Sequence, residues 1–348
     1  MLYLVEEVLY MKPYFLLPKG KRNSITDVGE ITVGHVTLDQ GPIQTGITLV
    51  LPHKDNIFQN KLFAASHIIN GYGKSTGFVQ VSELGSIESP IALTNTSSTG
   101  LVSHFLTKYM ITQDKDICRS LGTINPLVLE CNDGLINDQR QFPFTESHFM
   151  QALENLSKDF QQGDVGAGRG MICYGFKGGI GSSSRLVDVQ SIQGHVGVLV
   201  LSNFGNPRNL RVLGQTVPYE GGKKDELGDK GSICIVIATD LPLLPHQLKR
   251  VAKRAQNGIA RTGSFTGHGS GDVVLAFSTF EKISIHEKNI VSYSSYPDSA
   301  LDTLFLATVE AVEEAILQSL FHSQASYRLD GKLVPNLSSF MEVPKELF

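Results

Sequence analysis

Residues 230–243 read KGSICIVIATDLPL, and the junction inside this stretch decides how the chain is read. Ile233, Cys234, Ile235, Val236, Ile237 and Ala238 form an unbroken apolar run, as expected of a strand covered on both faces. The segment before it, Gly214–Gly231 (GQTVPYEGGKKDELGDKG), is polar, glycine-rich and charged with both signs. It can bury little, so it is expected as an exposed loop. A loop that runs straight into a buried strand is an odd connector and a good processing site. Gly231 and Ser232 stand at the boundary.

The chemistry open to that pair follows from its residue types. Glycine reaches backbone conformations closed to other residues, so the peptide after Gly231 can be held distorted at low steric cost. The Ser232 hydroxyl can then attack the carbonyl before it, converting an amide into an ester that water hydrolyses. The serine left at the new chain start carries a hydroxyl and a free α-amine. That amine has a reference pKa of about 7.7–8.0, close enough to neutral for a general base. Nucleophile and base then belong to one residue. Gly-Ser before a strand is common by itself, so corroboration has to come from elsewhere in the chain.

Three other segments bear on it. In GHGSGDVVLAF (Gly267–Phe277), Ser270 and Asp272 stand two residues apart at the start of an apparent strand, so their side chains share a face. Asp272 could orient Ser270 and Ser270 could polarise the Ser232 hydroxyl; a turn with local side-chain to backbone bonds is the competing reading. His268, between glycines, reads as a loop residue. Asn203, at the end of the apolar run Val196–Ser202, could donate to a developing oxyanion or simply serve a turn. Glu130-Cys-Asn132-Asp133-Gly134-Leu135-Ile-Asn137-Asp138 is either a well-bonded turn or a pocket wall.

Composition narrows the classes. With 348 residues, 41% of them hydrophobic, the chain can bury a large core as one large domain or two ordinary ones. A net charge of −4 offers no basic excess for a phosphate backbone, so nucleic acid is not an expected partner. Among the four cysteines no C-x-x-C pair occurs, and Cys131, Cys173 and Cys234 read as buried, reduced thiols of a reducing compartment. The first 22 residues, MLYLVEEVLYMKPYFLLPKGKR, carry Glu6 and Glu7 inside the apolar run and lack a cleavage site, so they do not read as a signal peptide. The start is expected at Met1 or Met11, the location cytoplasmic. No stretch reaches the roughly 18 apolar residues of a membrane span. GYGKS (Gly71–Ser75) lacks the first glycine of a phosphate loop, and Gly166–Gly170 and Gly178–Gly181 read as tight turns.

Strands are expected at Ile31–Leu38, Gly46–Leu51, Ile91–Thr94, Gly170–Phe176 and Val196–Ser202, and helices at Leu62–Asn70, Ser98–Met110, Thr145–Phe160, Pro245–Ala260 and Ser299–Ser319. In the last of these, Leu301, Leu304, Phe305, Thr308, Val312, Ala315, Ile316 and Leu320 trace one stripe at helical spacing. The basic cluster Lys249, Arg250, Lys253 and Arg254 reads as a solvated face.

NSITDVGEITVGHVT (Asn23–Thr37), TGITLVLP (Thr45–Pro52), NGYGKSTGFVQVSELG (Asn70–Gly85), ALTNT (Ala92–Thr96), ECNDGLIND (Glu130–Asp138), GDVGAGRGMICYGFKGGIGSSSR (Gly163–Arg185), GVLVLSNFG (Gly197–Gly205), KGSICIVIATDLPL and the region Ala260–Thr279 together resemble the L-aminopeptidase/D-esterase and β-peptidyl aminopeptidase family, in order over residues 23–320. The resemblance implies an α/β, four-layer αββα sandwich of two mixed β-sheets between helix layers. It implies a precursor that cleaves itself into residues 1–231 and 232–348, needs no metal or cofactor, and assembles as a homotetramer. By motif, Ser232 is the nucleophile, Ser270 and Asp272 its supporting pair, Asn203 an oxyanion donor, and Asn132, Asp133 and Leu135 substrate-binding. The implied activity removes N-terminal residues from short peptides, amides or esters. Relatives often carry tyrosine where Leu135 stands, and some have glutamate in place of Asp272. The alternatives are an acyltransferase of the related ornithine acetyltransferase fold and a catalytically silent binding protein.

Overall fold

The computed structural model describes residues 13–218 and 229–347. The expected start at Met1 or Met11 and the middle of the Gly214–Gly231 segment lie outside the described residues.

The first half of the chain supplies β1 (Thr32–Gln40), β2 (Ile43–Leu51), β3 (Asn60–Gly71), α1 (Phe78–Leu84), β4 (Ser86–Ile87), β5 (Ile91–Asn95), α2 (Thr99–Gln113), β6 (Leu127–Cys131) and α3 (Glu146–Glu154). Then come the short pair β7 (Ile172–Cys173) and β8 (Phe176–Lys177), the long β9 (Gly179–Val189) and β10 (Ile192–Phe204), and the short pair β11 (Arg211–Val212) and β12 (Gln215–Thr216). The last third is β13 (Lys230–Thr239), α4 (Pro245–Arg261), β14 (Gly269–Ser284), α5 (Asp302–Phe321) and the hairpin β15 (Ser326–Tyr327) and β16 (Leu333–Val334).

The strands assemble into a four-stranded sheet, β1-β2-β5-β6, and a six-stranded sheet, β4-β3-β14-β13-β10-β9. Each contains one parallel pair, β5 with β6 and β13 with β14, so both are mixed. Side-chain alternation sorts the layers. From the six-stranded sheet, Leu199, Leu201, Val236, Leu275 and Phe277 enter a core shared with the four-stranded sheet, α2 and α3. Their neighbours Val198, Val200, Ile233, Ile235, Ile237 and Val274 face α4 and α5. Helices therefore cover the outside of a two-sheet sandwich, as the αββα expectation requires. Each fully buried isoleucine of β13 contributes about 1.5–3 kcal/mol of hydrophobic stabilisation.

Four sequence expectations fail for physical reasons. Leu62–Asn70 is strand, not helix: in β3, Leu62 and Ala64 join the inter-sheet core while Ala65 and Phe63 pack on the helix side, so an apolar run served both faces. Gly170–Phe176 is not one strand but is broken by a turn, with Tyr174 and Gly175 at φ 52° and 77° separating two short strands. Gly179 and Gly181 are strand residues rather than turn glycines; a side chain on Gly181 would meet the Ala315 carbonyl at 1.9 Å, so its absence lets α5 approach β9. The helix after Thr145 also stops at Glu154, where Asn155 donates to the His35 carbonyl at 2.8 Å and Ser157 bridges to Val33.

α5 buries more than its stripe. Glu310, Glu313 and Glu314 are each at most 1% exposed. The buried Arg185 meets Glu310 at 3.0 Å and Glu314 at 2.7 Å. Arg261 and the Tyr14 hydroxyl, both at 2.6 Å, meet Glu313, and Leu16 N–H donates to Glu310 at 2.7 Å. These carboxylates bind the segment before β1 to the helix layer. Among the described residues no helix is long and apolar enough to cross a membrane.

Candidate active site

β13 lies at the centre of the six-stranded sheet, and its second residue is Gly231 at φ 127°. A Cβ there would sit 2.1 Å from the Asn203 carbonyl oxygen, so both the backbone angle and the space demand glycine. The strand starts at Lys230 and Asp229 is already buried, accepting hydrogen bonds from the Ser264 hydroxyl and Phe265 N–H. The expected exposed loop is thus corrected at its end: Gly214–Thr216 are exposed, but the Gly231–Ser232 bond lies inside a strand and Ser232 is only 4% exposed.

Ser232 pairs with Asn203 of β10 on one side and with Gly271 of β14 on the other. The Asn203 amide is fixed at both ends. Its Oδ1 accepts from Ile172 N–H at 2.9 Å and its Nδ2 donates to the Asn132 carbonyl at 3.0 Å, leaving one amide hydrogen of Nδ2 for another acceptor. Flanking Gly271, the Ser270 hydroxyl donates to Asp272 Oδ1 at 2.6 Å. Burial pushes the Asp272 carboxyl up to about 6, against the lowering effect of that hydrogen bond, and its Oδ2 is buried without a partner. Among the described residues Ser232 makes no side-chain hydrogen bond to Ser270 or Asn203; register, rather than a bond, brings the three together. His268 is exposed and its ring lies 6.3 Å from that of Tyr72.

The ECNDG segment divides its side chains. Asn132 and Leu135 line a cavity of about 880 Å³ that also reaches Asn203 and Gly231. Asp133 lies beneath, 1% exposed, holding Gln139 Nε2 at 2.8 Å, and burial raises its carboxyl to about 6. Glu130 takes the opposite flank. Its carboxylate accepts from Lys74 N–H at 2.6 Å and from the Thr96 hydroxyl. A Cβ on Gly73 would lie 3.3 Å from that carboxylate and 3.8 Å from the Gly271 Cα, across from Ser232. GYGKS therefore gives a backbone N–H to a protein carboxylate, not to phosphate.

Sequence reasoning missed the far wall of the cavity. Arg328, Lys332, Leu333 and Val334 come from the β15–β16 hairpin, in a stretch without a motif, and Leu329 N–H ties the hairpin to the Leu135 carbonyl at 3.0 Å. Only the fold brings them to the cavity that reaches Asn203 and Gly231.

Residues 23–334 match the model of peptidase family S58. The β-peptidyl aminopeptidase BapA of Sphingosinicella microcystinivorans is 35% identical over 345 residues, covering 91% of this chain and 86% of that protein. The structure of the PH0078 protein of Pyrococcus horikoshii OT3 superposes with a TM-score of 0.88 at 43% identity, covering 94% of each chain. The L-aminopeptidase D-Ala-esterase/amidase of Ochrobactrum anthropi, described as a prototype serine aminopeptidase with a variant Ntn-hydrolase fold, gives 0.85 at 34% identity, covering 92% of this chain and 93% of that one. These similarities favour the aminopeptidase expectation over acyl transfer or a silent binding protein. The chain belongs to peptidase family S58 and is a hydrolase, an aminopeptidase of the N-terminal-nucleophile fold acting on peptides or amides.

Proposed function

We propose that this aminopeptidase matures by breaking its own Gly231–Ser232 bond and that Ser232 then attacks its substrates. The observation that carries this is the Gly231 backbone, held at φ 127° against the Asn203 carbonyl immediately before a serine in register with Asn203. In the first round the Ser232 Oγ adds to the Gly231 carbonyl carbon, the C–N bond breaks, and the nitrogen leaves protonated as the new α-amine. Water then hydrolyses the ester, leaving a Gly231 carboxylate and a free hydroxyl. In later rounds the α-amine takes the hydroxyl proton as Oγ attacks the substrate carbonyl, and gives it to the departing amine. Water, activated by the same amine, releases the acyl group.

Asn203 Nδ2 supplies the oxyanion donor, and removing such a donor typically costs about 2.7–4 kcal/mol of barrier. Ser270, held by Asp272, positions the Ser232 hydroxyl. Glu130, on the other flank, receives the substrate's ammonium group. Three free, buried thiols, Cys131, Cys173 and Cys234, support a cytoplasmic setting, and the family resemblance supports a homotetramer, which light scattering tests.

Intact-mass measurement of purified protein tests the central step. The expected result is two chains, residues 1–231 and 232–348, with Ser232→Ala remaining whole. Cleavage of Ser232→Ala at the same bond would show that this hydroxyl is not the attacking group.

A further inference from the structure

The charges around Ser232 are sorted by side. Toward β14 stands the Glu130 carboxylate, beside Gly73 and Gly271. Toward β10 opens the 880 Å³ cavity, whose lining includes Lys230, Arg328 and Lys332 and, among the described residues, no carboxylate. Asp330 at the hairpin tip pairs with Arg328 at 3.1 Å and with Lys332 at 3.8 Å, so it offsets one of the two hairpin charges. The hairpin keeps a net positive charge. Arg328 Nε is buried with no hydrogen-bond partner, and Lys332 is 73% exposed. Leu135 and Leu333 add apolar surface to the same wall.

A nucleophile with an acid on one flank and guanidinium and ammonium groups on the other matches a short zwitterion. We propose that the β15–β16 hairpin recognises the free C-terminal carboxylate of di- or tripeptide substrates, with Arg328 as the principal contact and Lys332 as supporting charge. Resting on the aminopeptidase reading with Glu130 at the substrate amine, this makes the enzyme selective for free short peptides over peptide amides. A guanidinium suits the role because it carries five N–H donors and so keeps others for a carboxylate while one nitrogen is paired, as in Arg328 with Asp330. The hairpin walls one side of the cavity, so a longer peptide would run along the same cations without a terminal carboxylate to give them.

The test compares processed enzyme on a panel of aminoacyl-leucines, the matching aminoacyl-leucine amides, and the matching aminoacyl p-nitroanilides. A charge-assisted contact predicts that kcat/KM for the acids exceeds that for the amides by roughly 10- to 100-fold, the difference residing in KM. Rising salt should narrow the gap. Arg328→Gln should bring the ratio toward one, while Arg328→Lys retains part of it. Equal rates on acids and amides by wild-type enzyme, with p-nitroanilides cleaved, would overturn the inference and leave the aminopeptidase reading standing. That outcome would also fit capture of the cations by the Gly231 carboxylate that processing releases into the same cavity. Resistance of every substrate class would overturn both.

Discussion

Ser232 and Asn203 face one another in register across the antiparallel ladder between β10 and β13. The side chain of Asn203 is held by Ile172 N–H and the Asn132 carbonyl, so its remaining amide hydrogen is oriented before any substrate arrives. Asn203→Ala is expected to lower kcat by about 10²–10³. Asn203→Asp should do worse, since a carboxylate oxygen would oppose the Asn132 carbonyl. Steady-state kinetics on chains shown by mass to be processed would check this; activity near wild type in either variant would remove Asn203 from the oxyanion site.

Gly231→Ala should block maturation. The added methyl meets the Asn203 carbonyl in a backbone conformation that costs of order 1–3 kcal/mol for a non-glycine residue. The expected product is an uncut chain with a lowered melting temperature, seen by mass and thermal denaturation together. Normal cleavage of this variant would show that the left-handed glycine is not what prepares the bond.

The Asp272 carboxyl titrates at about 6 in the fold against an ordinary 3.8, because burial disfavours its charge. Between those values the folded chain keeps a proton that the unfolded chain has released. Stability owed to this group is therefore complete below about 4 and declines as pH rises through about 6. Asp133, raised to about 6 by burial as well, acts in the same window, so Asp272→Asn should remove only part of the decline. Urea titrations of the uncut Ser232→Ala chain from pH 4 to 7 would measure it. Catalysis should run the other way if the ionised carboxylate holds Ser270, with activity falling on acidification through about 6.

Arg185→Met is expected to destabilise the chain by about 3–5 kcal/mol, since it leaves Glu310 buried without a cation and Glu314 with Lys19 alone. Urea denaturation would show a lowered midpoint at unchanged slope. A near-neutral effect would mean that these carboxylates take up protons once the guanidinium is gone.

Much of this was legible in the chain. The two-faced apolar run after Ser232 marked a central strand, and Ser270 with Asp272 at strand spacing is seen as a bonded pair. What escaped was whatever depends on partners distant in sequence. Leu62–Asn70 carries apolar residues of both helical and strand periods, and only pairing with β14 decides for strand. Ser182, Ser183 and Ser184 read as polar, yet all are buried in β9 because their hydroxyls reach the Val198 carbonyl, the Ala311 carbonyl and Asp27. Arg328 and Lys332 belong to the cavity only because the chain returns from α5 to its rim.

The strand order has a consequence for the matured molecule. β13 from Ser232 onward and the whole of β14 lie beyond the cut and occupy the middle of the six-stranded sheet, with β3 and β10 of the other fragment hydrogen-bonded on either edge. Scission would thus create an obligate heterodimer in which a strand pair of one fragment is wedged between strands of the other, rather than two separable pieces. Its melting should depend on protein concentration more steeply than that of the uncut chain. Once denatured, the halves could meet again only by collision: maturation would turn a reversible folding reaction into an assembly step.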